Sequence, residues 1–394
     1  MLSVLKGYMQ REDYGGYPPV VKQEEEERKA LRVVISCSSS KPAESAVYNL
    51  LKGRAFGTDQ PIELILFDFK GIHQDIVIAL ASQVVTAGFT LLKDVIPTDD
   101  PEKAFKDIDV AILLTPEHSR WTEVTSLNFN FHLYKNLAQK INTYSKNAKI
   151  VIVGNMAPVY AMVFADIAKS VPKENITGLS EQVAVRAYNA ISDTLKPEFR
   201  YSHGIHVFGI HKPDVTNSHL LEKRQAAAVP HTPEIKSHGG KSVCVYSAVR
   251  DLEYKKRTFS EGVENLKWSR MAVNKDLQLT NSNSRDYFVG NAICCHLRNW
   301  WKGTTNPVSM IVESNGQYGI SKGLFSSFPV TIDRHKKWTI VENMELDIAT
   351  FYAIADHVKY LINMRHQIEV YLLKDKTNNS EVNKINEEPE AETV

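Results

Sequence analysis

The chain has 394 residues, 43% of them hydrophobic and 24% charged, with a formal net charge of +1. That length expects two domains around a large core, and the near-neutral balance leaves no global field to draw in nucleic acid or an anionic membrane. Cys37, Cys244, Cys294 and Cys295 have no C-x-x-C spacing, which argues against a disulfide framework or a zinc site and for reduced thiols in the cytoplasm.

Residues 1–30 form a charged leader in which Gly15-Gly16-Tyr17-Pro18-Pro19 breaks structure and KQEEEERKA is a solvated, helical run. The opening MLSVLKGYMQRED is too short in apolar residues for a secretory signal, and no apolar run approaches the roughly 18 residues that would span a bilayer. Short apolar strands are expected at 32–36, 62–67, 109–114 and 149–153, with helices at 43–52, 72–87 and 124–145 between them. In the last of these, Leu127, Phe131, Tyr134, Leu137, Ala138 and Ile141 recur at spacings of three and four, giving one apolar face. Continuous apolar strands alternating with helices predict a doubly wound parallel sheet.

After Asn155 the pattern changes to a mixed α+β one. Helices are expected at about 158–169 and 181–195, then a strand at 203–210 and a polar loop at 225–241. Long helices follow at about 258–280 and 284–302, strands at 307–313 and 328–332, and a closing helix at about 346–372. The tail 374–394 lacks aromatics and is expected to be disordered. The basic runs Lys255-Lys256-Arg257 and Arg334-His335-Lys336-Lys337 are short enough to be solvated loop or strand-edge charges.

The stretch RVVISCSSSKPAES at 32–45 has the layout of a strand, a turn and a helix that cradle a nucleotide's phosphates, yet lacks the glycines of that turn. A glycine is required there where φ is positive or where backbone must approach a pyrophosphate closely. Cys37 and Ser40 hold those places, so a Cβ would cost on the order of 1 kcal/mol at a left-handed position. Serine hydroxyls, the Lys41 ammonium and the helix N-terminus could compensate, whereas Glu44 opposes an anion. A small-residue turn with no ligand is the plainer alternative.

From residue 31 to about 372 the chain resembles cytosolic-type malate dehydrogenases of the lactate/malate dehydrogenase superfamily. The strings FGTDQPI, LLKDVIPTD, AFKDIDVAIL, IVIVGN, SVPKENI, VSMIVESNGQYGI and SSFPVTI carry the likeness in order. The leader and the changed site residues are similar to the divergent 1B-like branch of that family. The resemblance implies an α/β fold with a Rossmann-type NAD-binding domain at 31–155 and a mixed α+β substrate domain at 156–373. It also implies NAD as cofactor, a small 2-hydroxy or 2-oxo dicarboxylic acid as substrate, and a homodimer.

Carried onto this sequence, the likeness makes Asp68 the acceptor for the adenosine ribose hydroxyls, although an aspartate ending a strand is also a common turn former. Cys37, Ser40 and Lys41 frame the phosphate turn, and Asn155 orients substrate and nicotinamide. His211, in VFGIHKPDV, is the acid/base, and Arg186 is the carboxylate anchor. The aspartate that pairs with the family histidine is replaced by Val183, which accepts no hydrogen bond. The loop from Pro116 to Glu123 holds none of the family's arginines in register, with Arg120 close but displaced. These losses predict an oxidoreductase with impaired turnover or, as the alternative, a non-catalytic homologue kept for binding or dimerisation.

Overall fold

The computed structural model describes residues 28–69, 71, 73–116, 123–154, 156–180, 205–206, 234–235, 284–304, 306–342 and 348–386. Its centre is a nine-stranded sheet in the order β11-β10-β9-β6-β5-β4-β1-β2-β3. The first strand, β1 (Leu31–Ser36), pairs in parallel with β2 (Ile62–Phe67) on one side and β4 (Val110–Leu114) on the other. Outward from these lie β3 (Leu92–Thr98) and, across β4, β5 (Lys149–Val153) and β6 (Ile176–Leu179), all parallel. The strand order therefore reverses between β1 and β4, and in such sheets ligands bind beyond the carboxyl ends at that reversal.

The central strands are continuous apolar runs because both of their faces are covered. Val33, Val34, Ile35, Leu64, Ile65 and Ile112 are fully buried. The edge strand β3 instead exposes Lys93 and Asp94 and carries Pro97; without an apolar run it gave no strand signal in the sequence. The four-residue β6 and the short helix α3 (Pro101–Phe105) were also not expected, being too brief to show a period.

Helix α1 (Lys41–Leu51) starts where Ser40 caps it with Pro42 in its first turn. It packs against α6 (Ser284–Lys302) closely enough that a Cβ on Gly290 would lie 2.6 Å from Ala46 N and closer still to the Ser45 hydroxyl. The Ser45 hydroxyl donates to Tyr287 O at 3.0 Å across this contact. Helix α2 (Gln74–Thr86) buries Val77, Leu80, Ala81 and Val84, a stripe at spacings of three and four. Elsewhere α4 (Glu123–Tyr144) and α5 (Ala157–Ile167) are joined by Tyr134 and Tyr160, stacked at 4.8 Å.

Beyond β6 the sheet continues antiparallel through β9 (Val308–Glu313), β10 (Phe325–Ile332) and β11 (Trp338–Ile340). This is the mixed part of the fold, though its strands share one sheet with the parallel part. A separate two-residue pair, β7 (Ile205–His206) with β8 (Glu234–Ile235), puts a strand inside the stretch 225–241 expected to be loop. The expected helices at 181–195 and 258–280 lie outside the described residues.

The last helix, α7 (Ile348–Asn386), runs past the end expected at about 372. Extending an existing helix avoids the nucleation cost that an isolated polar segment must meet. Arg365 on α7 grips Asp166 of α5 at 2.7 and 3.2 Å and holds the helix to the body.

Candidate active site

The turn at the carboxyl end of β1 has the conformation that its missing glycine would have supplied. Cys37 takes φ 52°, in the left-handed region, at a cost of about 1–2 kcal/mol for a residue with a Cβ. The turn offsets this strain with a dense set of hydrogen bonds. Ser38 N donates to Phe67 O at 3.2 Å, and the Ser38 hydroxyl reaches Ile35 O at 2.7 Å and Phe67 O at 3.0 Å. Ser40 N closes on Cys37 O at 3.0 Å, and the Ser40 hydroxyl accepts from Ala43 N at 3.4 Å. The Ser36 hydroxyl accepts from Leu114 N at 3.1 Å, tying β1 to β4 where the strand order reverses.

Asp68 lies just beyond β2, only 4% exposed, and its carboxylate faces the turn. One oxygen accepts from Ser39 N at 3.0 Å and the other from Phe69 N at 2.9 Å. The acid expected to meet a ribose thus also braces the turn expected to meet the phosphates. Burial, and secondarily the Asp68 charge, push the Cys37 thiol up to about 12, partly offset by a hydrogen bond with Ser36. At neutral pH Cys37 is a protonated, buried filler and no nucleophile.

These residues fit the adenosine half of a dinucleotide: a left-handed first turn position, a helix start and an acid at the next strand end. They fit its phosphates less openly. The amides of Ser38, Ser39, Ser40, Ala43 and Glu44 are all taken by groups of the protein, and Pro42 has none to offer. Lys41 opens α1 and is exposed.

A second group lies at the ends of β4 and β5. A Cβ on Gly154 would fall 2.6 Å from Thr115 Cβ, so these strand ends touch. Thr115 Oγ1 and Tyr134 OH are 2.7 Å apart, and buried Asn130 donates to Tyr160 OH at 3.0 Å and Pro116 O at 3.4 Å. This polar cluster holds the chain at Pro116, just past the end of β4, and sequence reading missed it. Tyr134 counted there only as part of an apolar stripe; the signal available was a polar Asn130 at core spacing. Asn155, Arg120, Arg186, Val183 and His211 lie outside the described residues, so the structure gives no geometry for the chemical half of the site. Among the described residues, no group of His, Cys, Asp and Glu could hold a metal ion, and no helix is long and apolar enough to cross a membrane.

Comparison with known proteins gives a consistent picture. A profile of the lactate/malate dehydrogenase α/β C-terminal domain matches residues 277–369. The chain is 31% identical to cytoplasmic malate dehydrogenase of Gallus gallus over 324 residues, covering 80% of this chain and 90% of that protein. Against the same enzyme of Homo sapiens the identity is 32%, with equal coverage. Malate dehydrogenase of Naegleria fowleri superposes with a TM-score of 0.71 at 20% identity, over 87% of this chain and 98% of the other. Lactate dehydrogenase of Trichomonas vaginalis, in complex with NADH and oxamate, superposes with a TM-score of 0.70 at 20% identity, over 88% and 100%.

Proposed function

The chain belongs to the lactate/malate dehydrogenase superfamily of oxidoreductases, and from that premise we propose that it moves a hydride between malate and oxaloacetate, or a related 2-hydroxy acid pair, with slowed turnover. NAD, when bound, supplies the hydride acceptor. Asp68 receives the adenosine ribose hydroxyls, a contact that disfavours the 2′-phosphate of NADP. Cys37, Ser40 and Lys41 frame the pyrophosphate. Asn155 orients the substrate, and Arg186 holds a carboxylate through two parallel hydrogen bonds, with Arg120 the nearest loop cation. His211 takes the proton from the C2 hydroxyl and returns it in the reverse reaction.

In this reading residues 31–155 bind the nucleotide and 156–373 the acid, the protein works in the cytoplasm, and two copies pair. Turnover is slow because Val183 leaves the imidazole without the carboxylate that would fix its tautomer. Loss of such an orienting partner costs on the order of 10²–10⁴ in rate. The observation that carries the proposal is the bracing of the left-handed Cys37 turn by Asp68 at the reversal of strand order.

The same bond favours a second reading. With Ser39 N engaged by Asp68, the turn is complete without a nucleotide, which suits a homologue kept for binding or dimerisation. A thermal-shift titration with NADH and NADPH, beside an assay of NADH oxidation by oxaloacetate, separates the two. The enzyme reading expects stabilisation by NADH above NADPH together with measurable oxidation; the absence of both a shift and oxidation overturns it.

A further inference from the structure

At the opposite, amino-terminal edge of the sheet, one face of α6 and the turn between β10 and β11 form a basic rim that the dehydrogenase reading does not use. Asn291, Cys295, Arg298 and Lys302 recur on α6 at spacings of three and four and so share one face. Arg54, in the loop after α1, donates to Asn291 Oδ1 at 3.2 Å, and the Arg298 guanidinium lies 3.6 Å from the Cys295 sulfur. Past Lys302, a Cβ on Gly303 would lie 3.0 Å from Asp333 O, so the helix end abuts the turn 333–337. That turn adds Arg334, Lys336 and Lys337 to the rim. It is fixed to α6, where the Trp300 indole N–H donates to Lys336 O at 3.1 Å and Lys336 Nζ sits 3.3 Å from the centroid of the Trp301 ring. Lys149 Nζ, at the start of β5, lies 4.4 Å from the Trp300 centroid.

Acid is scarce along this rim. Arg54, Arg298, Lys302, Arg334 and Lys337 are exposed, and among the described residues none of them forms a salt bridge. The carboxylates beside them are already engaged. Asp333 accepts from His335 N at 2.8 Å and Lys337 N at 2.9 Å within its own turn. Asp109, which attracts Lys336, accepts from Arg32 N at 2.9 Å. Asp59 pairs with Arg28 at 2.7 Å. This last pair ties the entry to β1 to the loop that carries Arg54 and whose Phe56 meets the Trp301 ring at 4.9 Å. Directly before Arg28 stand Glu24, Glu25, Glu26 and Glu27. A chain spans at most about 3.6 Å per residue, so all four lie within about 14 Å of Arg28 along the backbone.

We propose that the basic rim is a docking surface for acidic peptide and that its occupant is the chain's own Glu24–Glu27 run. The charge of that run complements the rim, and the Arg28–Asp59 pair delivers it there. Single exposed ion pairs contribute little. A short tether offsets this by holding four carboxylates at an effective concentration on the order of millimolar beside several unpaired cations. The leader then keeps the rim closed to acidic segments of other proteins. None of this rests on the dehydrogenase reading.

The test titrates a fluorescein-labelled octaglutamate peptide with the full chain and with a variant carrying Glu24→Gln, Glu25→Gln, Glu26→Gln and Glu27→Gln, followed by fluorescence anisotropy at about 50 mM salt. The variant should bind the peptide about tenfold more tightly than the wild-type chain, whose rim is already occupied. That gain should vanish at about 0.5 M salt. Adding Arg298→Gln and Lys302→Gln should abolish it, whereas Lys140→Gln and Lys322→Gln, which remove the same charge from exposed positions elsewhere, should leave it. Equal affinity in wild type and variant, or a gain that Lys140→Gln and Lys322→Gln remove as fully as the rim pair does, overturns the proposal. Carbodiimide coupling of mixed isotopically light and heavy wild-type chains, mapped by mass spectrometry, needs no variant. Links from Glu24–Glu27 to Lys302, Lys336 or Lys337 within one chain support the proposal. Links only between copies, or none, overturn it.

Discussion

His296 lies on α6, fully enclosed beneath the sheet, with its Nε2 3.0 Å from Thr177 Oγ1. The Thr177 hydroxyl donates to Ile150 O at 3.0 Å. Its oxygen is therefore the acceptor toward His296, which carries a proton on Nε2. Burial lowers the imidazole to about 3, against an ordinary value of 6.5. The unfolded chain therefore binds a proton between those values that the folded chain refuses. Stability from this site is complete above about pH 6.5 and is lost as pH falls toward about 3. Between about pH 7.5 and pH 5 the loss is roughly 2 kcal/mol, set almost wholly by the unfolded value. His296→Gln keeps an amide donor for Thr177 but cannot titrate. Urea denaturation of both proteins at the two pH values isolates the effect. The wild-type chain should lose about 2 kcal/mol more than the variant on acidification. Equal losses would refute the neutral, unprotonatable state of His296.

Asp68→Ala removes the acceptor for both Ser39 N and Phe69 N; it should cost about 2–3 kcal/mol in denaturant unfolding and weaken NADH binding. Unchanged stability would mean that the carboxylate does not hold the turn. Gly290→Ala drives a Cβ against Ala46 N and the Ser45 hydroxyl, so a loss of roughly 1–3 kcal/mol is expected as α6 is pushed off α1. A melting temperature equal to wild type would count against that contact. Val183→Asp should raise any rate of oxaloacetate reduction by giving His211 a carboxylate partner; a rate that stays level or falls speaks against His211 as the base.

Much of the fold was legible because strands buried on two faces write continuous apolar runs. The segments now seen as β1, β2, β4 and β5 stand out for that reason, and the heptad-like face of α4 does the same for a helix. Strands β3, β6 and β11 escaped notice because an exposed edge or a length of three or four residues leaves no period to detect. The end of α7 escaped because helix propagation tolerates polar residues that leave no apolar period to follow. At the site, the positive φ of Cys37 could be anticipated from the glycine expected there. The bond from Ser39 N to Asp68 could not, since it joins residues 29 apart in sequence and depends on the β1–β2 register. The Lys149–Trp300 contact is likewise invisible until α6 is laid across the foot of the sheet.

The central claim is that this chain keeps a dehydrogenase scaffold and an imidazole base while its orienting partner is gone. The most direct measurement is the rate of NADH oxidation by oxaloacetate in the wild-type chain beside His211→Ala. The account predicts a wild-type rate on the order of 10²–10⁴ below that of a relative retaining the aspartate, abolished in the variant. A wild-type rate matching that relative, or one that survives loss of His211, would contradict it.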